Sequence, residues 1–363
     1  ERRPTARTIS TEIDAIGGEF NAFTGKELTG YYVRCGSETR DVALDVLTDM
    51  IRNSRFDPDE IEKEKGVILE EMNVYLDTPQ RYVGSVYDRL LYGDQPLGWD
   101  ILGTRETIEG ATRDTFTSYL DAWYRPERIV VGIGGRIGDG LSERLEELLG
   151  DIEPGETGAP VPVEIPGNGS PVLLHTKTSE QAHLLLGVRS YPIGHPNRYA
   201  LQLLAVVLGG GMSSRLFTEV RERRGLAYYC YASSTQYADA GSLSAQAGVD
   251  INRIDDAVTT IAEQLRQMAA EPVPAVELEK ARNFAKGRFV LGLESPHGTI
   301  MFGVRRTALE GEPREPADVL AALDAVTIDD VQRVAQDILG NRLYLAVIGP
   351  FDDPARFERL IAP

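Results

Sequence analysis

The chain has 363 residues, of which 42% are hydrophobic and 26% charged, and 38 basic against 56 acidic side chains give a net charge of −18. This composition is typical of a globular protein, and the length suits about two domains. The negative charge argues against binding to nucleic acids and to anionic membranes, and no apolar run is long enough for a membrane helix, so we expect neither partner.

The first half of the chain is predicted to combine one strand pair with several helices. The elements are a helix at 5–16, strands at 19–24 and 28–35, helices at 39–54, 58–76, 80–92, 104–109 and 112–123, a strand at 128–134 and a helix at 141–149. Residues 151–170 are rich in Pro, Gly and acidic side chains, which is typical of a linker. We therefore predict domains at 1–155 and 169–363, joined by a linker at 156–168.

The second half repeats the order of elements seen in the first. It has strands at 171–176 and 182–190, helices at 197–208 and 213–223, strands at 227–236 and 241–248, helices at 252–270, 275–293, 298–310, 315–324 and 328–338, and a strand at 342–348. The order helix, glycine, strand, turn, strand, long helix occurs at 5–54 and again at 213–270. This repetition predicts an α+β protein of two homologous domains, each a mainly antiparallel sheet covered by helices on one side.

The helix at 58–76 carries two carboxylates whose positions are unusual. On a helical wheel Glu64 and Glu71 fall within the apolar arc, whereas Glu70 points to the opposite side. The arc is formed by Ile61, Ile68, Met72 and Tyr75. Because a carboxylate that faces the core must be satisfied by a cation, a proton or hydrogen bonds, the pair indicates part of a metal site. The alternative is a surface helix with salt bridges to Lys63 and Lys65.

Histidines and cysteines do not complete such a site in this sequence. The four histidines, at 175, 183, 195 and 297, lack metal-ligand spacing. His175 and His183 lie on neighbouring predicted strands but have no obvious third ligand, so we interpret them as structural. Cys35 and Cys230 are expected to be buried thiols, not a disulfide, which suits a reducing compartment and a cytoplasmic location.

A predicted hairpin, GGEFNAFTGKELTGYY at 17–32, could bind an extended peptide. Within FNAFT the small residue Ala22 sits among larger ones, and the Asn21 side chain can hydrogen-bond an extended partner. If this strand lies at an exposed sheet edge, a peptide can add to it as a further strand. The alternative is an internal strand pair packed on its helices.

The glycine triplet in GGGMSSRLFTEVRERRGLAYYCYA, at 209–232, is not a phosphate-binding loop, since no Gly-Lys-Ser/Thr follows it. Arg221 is predicted near the end of the helix and Tyr228 on the strand after Gly225. A guanidinium and a phenol on adjoining rigid elements could hold a peptide carbonyl or stabilise an oxyanion. Arginine at a helix C-terminus is also what the helix dipole favours.

These segments together resemble one known family. The hairpin at 17–32, the helix EKEKGVILEEMNVYLDTP at 62–79, YGDQPLGWDILGT at 92–104 and the segment at 209–232 are similar, in order, to the M16 metallopeptidases. This family includes pitrilysin, insulin-degrading enzyme and the mitochondrial processing peptidase, and the chain most resembles its small bacterial members.

The resemblance implies a zinc site that this sequence holds only in part. The family carries an inverted motif, His-x-x-Glu-His, whose two histidines bind one zinc ion per active site and whose glutamate is the general base. Matching the helices makes Glu71 the third protein ligand and Glu64 its supporting acid. The motif itself is absent from the 363 residues. We expect it just upstream of residue 1, so the chain as given should be inactive alone.

The resemblance also assigns residues that contact a peptide substrate. Asn21, Ala22 and Phe23 match the edge strand that holds the substrate extended, and Arg221 and Tyr228 match a pair that reaches it near the scissile bond. The implied activity is that of a zinc-dependent endopeptidase acting on peptides or unfolded segments in a closed chamber. Each chain would form half of a clamshell, as a homodimer or as a heterodimer with a paralogue. The alternative is a non-catalytic partner or scaffold subunit of the same fold.

Overall fold

The computed structural model describes residues 2–167 and 169–362. They form two compact units. The first comprises 2–71, Ile101–Pro160 and Gly292–Pro313, and the second comprises Met72–Asp100, Val161–Leu291 and the remainder from Arg314. The chain passes directly between the units at Pro160, within the predicted linker. Each unit also contains a segment that the predicted bounds assign to the other domain, Gly292–Pro313 in the first unit and Met72–Asp100 in the second. The domain bounds at 155 and 169 therefore remain a prediction.

Most predicted elements are present with bounds that agree within a few residues. The helices are α1 (Ala6–Ala15), α2 (Arg40–Arg52), α3 (Pro58–Leu76), α4 (Pro79–Tyr92), α5 (Arg105–Gly110), α6 (Arg113–Trp123), α7 (Leu141–Leu149), α8 (Arg198–Gly209), α9 (Ile254–Ala270), α10 (Ala275–Gly292), α11 (Pro296–Glu310), α12 (Pro316–Ala325), α13 (Ile328–Leu339) and α14 (Pro354–Ile361). The strands are β1 (Glu19–Thr24), β2 (Thr29–Arg34), β3 (Val172–Thr176), β4 (Gln181–Ser190), β5 (Ala227–Gln236), β6 (Gly241–Asp250) and β7 (Tyr344–Gly349). The prediction of a mixed α+β fold is confirmed.

In the first unit, β1 and β2 form an antiparallel hairpin whose side chains are mainly exposed. The predicted strand at 128–134 is wrong, since these residues pair with no strand within the described chain. They lie against α11 instead. A Cβ added to Gly132 would lie 2.3 Å from Val304 Cγ1, and one on Gly134 would lie 2.9 Å from Ile300 Cγ1, so glycine allows this close approach.

The second unit is built on a five-stranded sheet of order β3-β7-β4-β6-β5. Only the β3–β7 pair among these neighbours is parallel, so the sheet is mainly antiparallel, as predicted. Helix α4 covers one face, where Val83 and Tyr87 share a buried core with Leu185 and Ile348. Helix α8 packs on the opposite face, against Ala232 of β5. Helices therefore cover both faces, whereas the sequence predicted one.

The sequence predicted no membrane helix and two buried cysteine thiols. Within the described residues, no helix has the length and apolar character that crossing a membrane requires. Cys230 is buried, and burial raises the pKa of its thiol to about 12. Cys35 is exposed, so the prediction of two buried thiols is wrong for this residue. It follows the last residue of β2, beyond the part of the hairpin that pairs.

Candidate functional site

Local interactions explain why α3 begins where it does and how its lysines are used. Its N-terminus is capped by Asp57, whose side chain accepts a hydrogen bond from the Asp59 N–H at 3.1 Å. Further along, Lys63 pairs with Glu60 at 2.5 Å and Lys65 pairs with Glu62 at 2.6 Å. The lysines therefore form ion pairs one turn back along the helix. The salt bridges to Glu64 that the surface-helix alternative requires are not formed.

The two predicted site carboxylates of α3, Glu64 and Glu71, are exposed. The prediction that they face the core is wrong, because the buried stripe is narrower than the predicted arc and is centred on Met72. Glu71 precedes Met72 and is therefore rotated about 100° away from it. Neither carboxylate has a hydrogen-bond or ion-pair partner among the residues that the structure describes.

Glu64 and Glu71 belong to an exposed stripe that also contains apolar side chains. Val67 and Val74 stand four residues before and three after Glu71, so these side chains share one side of α3. Their exposed fractions are 50% for Val67 and 61% for Val74. We call Glu64, Val67, Glu71 and Val74 the α3 stripe. Its carboxylates are separated by two turns, about 10 Å along the axis.

The predicted peptide-binding strand, β1, is a sheet edge. Within the described residues β1 pairs with β2 alone, so the internal-strand alternative is not what the structure shows. Ala22 lies opposite Tyr31. Counting the antiparallel alternation from the Gly25–Leu28 hydrogen bond places the Ala22 N–H on the free edge. There it donates to the Asn21 Oδ1 atom at 2.8 Å.

Phe23, the third residue predicted to contact the peptide, packs its ring over Gly30 of β2. Phe23 lies opposite Gly30, and a Cβ on Gly30 would come within 2.3 Å of the Phe23 ring. The ring therefore occupies the space above Gly30 and packs across β2. The three residues Asn21 to Phe23 thus present one free backbone edge and one fixed aromatic ring.

Arg221 lies in an unusual helical segment of the second unit. Phe217–Arg223 is a π-helix, a conformation that is rare and frequent at functional sites. The Arg221 guanidinium lies 4.9 Å from the centre of the Phe217 ring. Arg221 is exposed, and it has no carboxylate partner among the described residues. Its charge is therefore available to an external group.

Tyr228 projects from a bulge in β5, where it is 76% exposed. Ala227 pairs with Val249 and Tyr229 with the preceding Gly248, which leaves Tyr228 without a partner in the register. Bulges redirect side chains and are common beside active sites. Between Arg221 and Tyr228 the chain turns at Gly225 (φ +56°), whose N–H donates to the Arg221 carbonyl at 3.2 Å.

Sequence reasoning did not find the hydrogen bond between His183 and Tyr229. His183 Nδ1 lies 2.8 Å from the Tyr229 hydroxyl, and the two rings stack at 6.0 Å. His175 and His183 were predicted to lie on neighbouring strands. They lie on β3 and β4 with Ile348 of β7 between them, so their backbones are about 10 Å apart.

The described residues do not by themselves fit a zinc ion. They contain no group of three or more His, Cys, Asp or Glu side chains placed to hold a metal. Zinc in proteins takes four ligands, commonly three of them from the protein. Glu71 can supply one oxygen ligand, so further ligands would have to come from outside the described residues.

Two family models match nearly all of the first 284 residues. The insulinase model, peptidase family M16, matches 1–105, and the peptidase M16 inactive domain matches 110–284. Among curated relatives, the uncharacterized zinc protease YmxG of Bacillus subtilis is 36% identical over 346 residues, which cover 95% of this chain and 84% of the relative. The uncharacterized zinc protease ML0855 of Mycobacterium leprae is 36% identical over 352 residues, 96% of this chain and 79% of the relative.

Solved structures share the fold at lower identity. A protease from Helicobacter pylori superposes with a TM-score of 0.84 at 20% identity, covering 94% of this chain and 85% of that one. A peptidase M16 inactive domain from Pseudomonas fluorescens gives 0.83 at 18% identity, with 95% and 84% covered. These two likenesses concern the fold alone, whereas the family models and curated relatives establish descent. The chain belongs to the M16 insulinase family of peptidases and is of its small bacterial type.

Proposed function

We propose that this chain is the greater part of a zinc-dependent endopeptidase whose His-x-x-Glu-His motif lies in a segment upstream of residue 1. The observation that carries the proposal is the α3 stripe, in which Glu64 and Glu71 are exposed beside Val67 and Val74. Exposed valines beside unpaired carboxylates suit a second helix that covers the apolar positions and brings a cation to the acidic ones.

The second unit provides a template for where such a segment would pack. In its sheet, β4 lies between β6 and β7. By the duplication, β1 and β2 correspond to β5 and β6, and residues 129–134 correspond to β7. The first unit lacks a counterpart of β4 within the described residues. We propose that the upstream segment supplies this strand between β2 and 129–134, together with the helix that bears the motif.

Within this proposal the residues of the chain have distinct roles. Glu71 is the third protein ligand of the zinc ion, and Glu64 supports the site as a second acid two turns away. Asn21, Ala22 and Phe23 hold a peptide as an added strand, since the Ala22 N–H faces the free edge. The metal chemistry belongs to the upstream motif, which this chain does not contain.

Arg221 and Tyr228 would act on the substrate carbonyl. Both side chains are exposed, and their backbone is fixed by a π-helix, by the hydrogen-bonded turn at Gly225 and by a bulge. A guanidinium and a phenol hydroxyl are hydrogen-bond donors that can hold a carbonyl and the negative charge that develops on it. Fixing them in advance avoids the cost of reorganisation during the reaction.

For the assembly, we propose a homodimer, or a heterodimer with a paralogue, in which two such chains enclose a chamber for peptides and unfolded segments. The family resemblance supports this proposal, with each chain as half of a clamshell. The substrates would be hydrolysed at internal bonds, and only peptides or unfolded segments small enough to enter would be cleaved.

The test compares the present chain with a longer form that begins at the upstream start codon of its gene. Metal content is measured by mass spectrometry after dialysis, and cleavage is followed with a quenched fluorescent peptide. We expect the longer form to bind about one zinc per chain and to cleave, and the present chain to do neither. In the longer form Glu71→Gln should lose zinc and nearly all activity.

Glu70→Gln is the matched control, because the Glu70 side chain is rotated about 100° from Glu71 around α3 and its change should leave zinc and cleavage close to unchanged. Equal loss in the two variants would show that the ligand assignment is wrong. An upstream sequence without His-x-x-Glu-His would instead favour the alternative, a non-catalytic partner or scaffold subunit. The family model that matches residues 110–284 describes an inactive domain, which is compatible with either function.

A further inference from the structure

Tyr229 spans three strands of the sheet in the second unit. Gly248 of β6 lies opposite both Tyr229 of β5 and His183 of β4, so the three residues form one row across the sheet. Residues that lie opposite in register project on the same face. The Tyr229 side chain extends along this row, and its hydroxyl is 2.8 Å from His183 Nδ1.

The middle residue of the row must be small for this contact to form. A Cβ on Gly248 would lie 2.4 Å from Tyr229 Cε1 and 3.0 Å from two other ring carbons. Any side chain there would displace the ring. Burial raises the pKa of Tyr229 to about 12 and lowers the pKa of His183, so both groups are neutral near pH 7. The row therefore ends in a hydrogen bond between neutral groups.

The position of Tyr229 determines where the chain bulges. Ala227 and Cys230 are both buried, and Ala227 pairs with Val249 on the face opposite to the Gly248 row. In a regular strand, residues three apart lie on opposite faces. One additional residue between Ala227 and Tyr229 restores the alternation, and that residue is Tyr228. With Tyr229 fixed over Gly248, Tyr228 is the residue that projects outward.

We propose that His183 and Tyr229 are positioning residues for Tyr228: their hydrogen bond across Gly248 fixes the register of the bulge and so directs the Tyr228 hydroxyl outward. The inference rests on the proposed function for the role of Tyr228 in catalysis, but not for its orientation. If the bond is lost, Tyr228 and Tyr229 can exchange places in the strand, and the phenol no longer projects.

The first experiment measures orientation without any need for activity. The folded chain is treated with tetranitromethane, and nitration of the adjacent Tyr228 and Tyr229 is resolved by fragment-ion mass spectrometry. We expect Tyr228, which is 76% exposed, to be nitrated in preference to the half-buried Tyr229. In Gly248→Ala and in His183→Leu the preference should fall about fivefold, the ratio that corresponds to loss of about one hydrogen bond.

Tyr231→Phe is the matched control. Tyr231 lies on the same strand and the same face, and its hydroxyl donates to Gln246 Oε1 at 2.7 Å. This variant also loses a tyrosine hydrogen bond, but it keeps both members of the His183–Tyr229 bond, so its nitration ratio should match the wild type. If either of the other variants fails to fold by circular dichroism, Tyr229→Phe replaces it, and slower nitration of Tyr228 is then expected.

The second experiment uses the longer form and a double-mutant cycle. His183→Leu should lower kcat/KM as far as Tyr228→Phe does, and the double variant should be no worse than Tyr228→Phe alone. His183→Gln, whose amide can still bond the Tyr229 hydroxyl, should restore most of the rate. A general loss of stability would give additive effects and no such rescue.

The outcomes separate this inference from the proposed function. An unchanged nitration ratio in folded Gly248→Ala and His183→Leu would overturn the positioning role, as would additive losses in the cycle. A shifted ratio in a longer form that binds no zinc and cleaves nothing would leave the orientation role standing while the proposed peptidase function fails.

Discussion

Arg3 illustrates how one buried charge organises the start of the first unit. The Arg3 side chain is 5% exposed, and its guanidinium donates to Glu12 at 2.8 Å, to Asp45 at 2.6 Å and to Asp49 at 3.0 Å. These bonds join α1 to two successive turns of α2. Hydrogen bonds from Arg2 and Arg3 hold the pKa of Asp45 below its usual value, and bonds from Asn53 and Arg3, acting against burial, lower that of Asp49.

We predict that Arg3→Met lowers the free energy of unfolding by about 3 kcal/mol at pH 7, because it removes the buried cation that Asp45 and Asp49 share. Both aspartates have lowered pKa values in the folded state, so their contribution is present above the unfolded value of about 4 and is lost as the pH falls through the folded values. The difference between variant and wild type should therefore shrink at acidic pH. Urea unfolding at pH 7 and near pH 3 measures both quantities.

Arg2→Met is the control for this prediction. Arg2 bonds the same Asp45, but its side chain is mostly exposed, so its loss should have a much smaller effect. A difference for Arg3→Met that stays constant between the two pH values would show that the loss comes from packing of its methylene groups, not from the carboxylates.

At the scale of elements, the free edge of β1 can be tested by removing one backbone donor. The Ala22 N–H points away from β2, so Ala22→Pro removes no bond of the hairpin ladder. We predict that this variant stays folded and, in the longer form, retains zinc but binds a non-cleaved peptide about tenfold more weakly, as expected when pairing at the edge is distorted. Fluorescence anisotropy with a labelled peptide measures the affinity.

Ala22→Gly keeps the backbone donor and serves as the matched variant, with peptide affinity close to the wild type. Peptide binding that survives Ala22→Pro in a folded protein would place the binding strand elsewhere. The Asn21 side chain, which already accepts from the Ala22 N–H, would have to move aside when a peptide pairs there.

Elements with a strong apolar period were predictable because they are held by interactions close in sequence. The hairpin and most helices are elements of this kind. The helical period of the apolar residues in α3 also singled out Glu64 and Glu71. Their exposure was not predictable, since it depends on how far the neighbouring elements cover α3. The sequence at 128–134 has strand composition, yet a strand also requires a partner edge, and composition does not show whether one is present.

Other features of the candidate site depend on pairing between distant segments. The bulge at Tyr228 leaves a trace in the sequence, because the buried residues Ala227 and Cys230 stand three apart where strand alternation requires an even separation. The contact of Tyr229 with His183 leaves none, since it follows from the register of three strands across Gly248. Likewise α4 was predicted as a helix, but its packing on the second sheet follows only from the tertiary fold.

At the scale of the whole molecule, the two units differ in how completely their sheets are built. The second unit has five paired strands whose central members, β4 and β6, are largely buried. Among the described residues, the first unit has two paired strands, of which β1 is mainly exposed and β2 is half exposed. Amide protection follows burial and local stability, so the two units should differ in exchange even in the same chain.

We predict that hydrogen exchange will be slowest in β4 and β6 and fast in β2 and in 129–134 of the present chain. In the longer form, β2 and 129–134 should become protected, because the upstream strand is proposed to pair with both and to satisfy their free backbone groups. Exchange of β4 and β6 should be unchanged, which provides the internal control. Mass-spectrometric exchange on both forms measures this at the level of peptides. If the longer form binds zinc while 129–134 remains unprotected, the metal ligands arrive without the strand, and the correspondence between the two sheets is wrong.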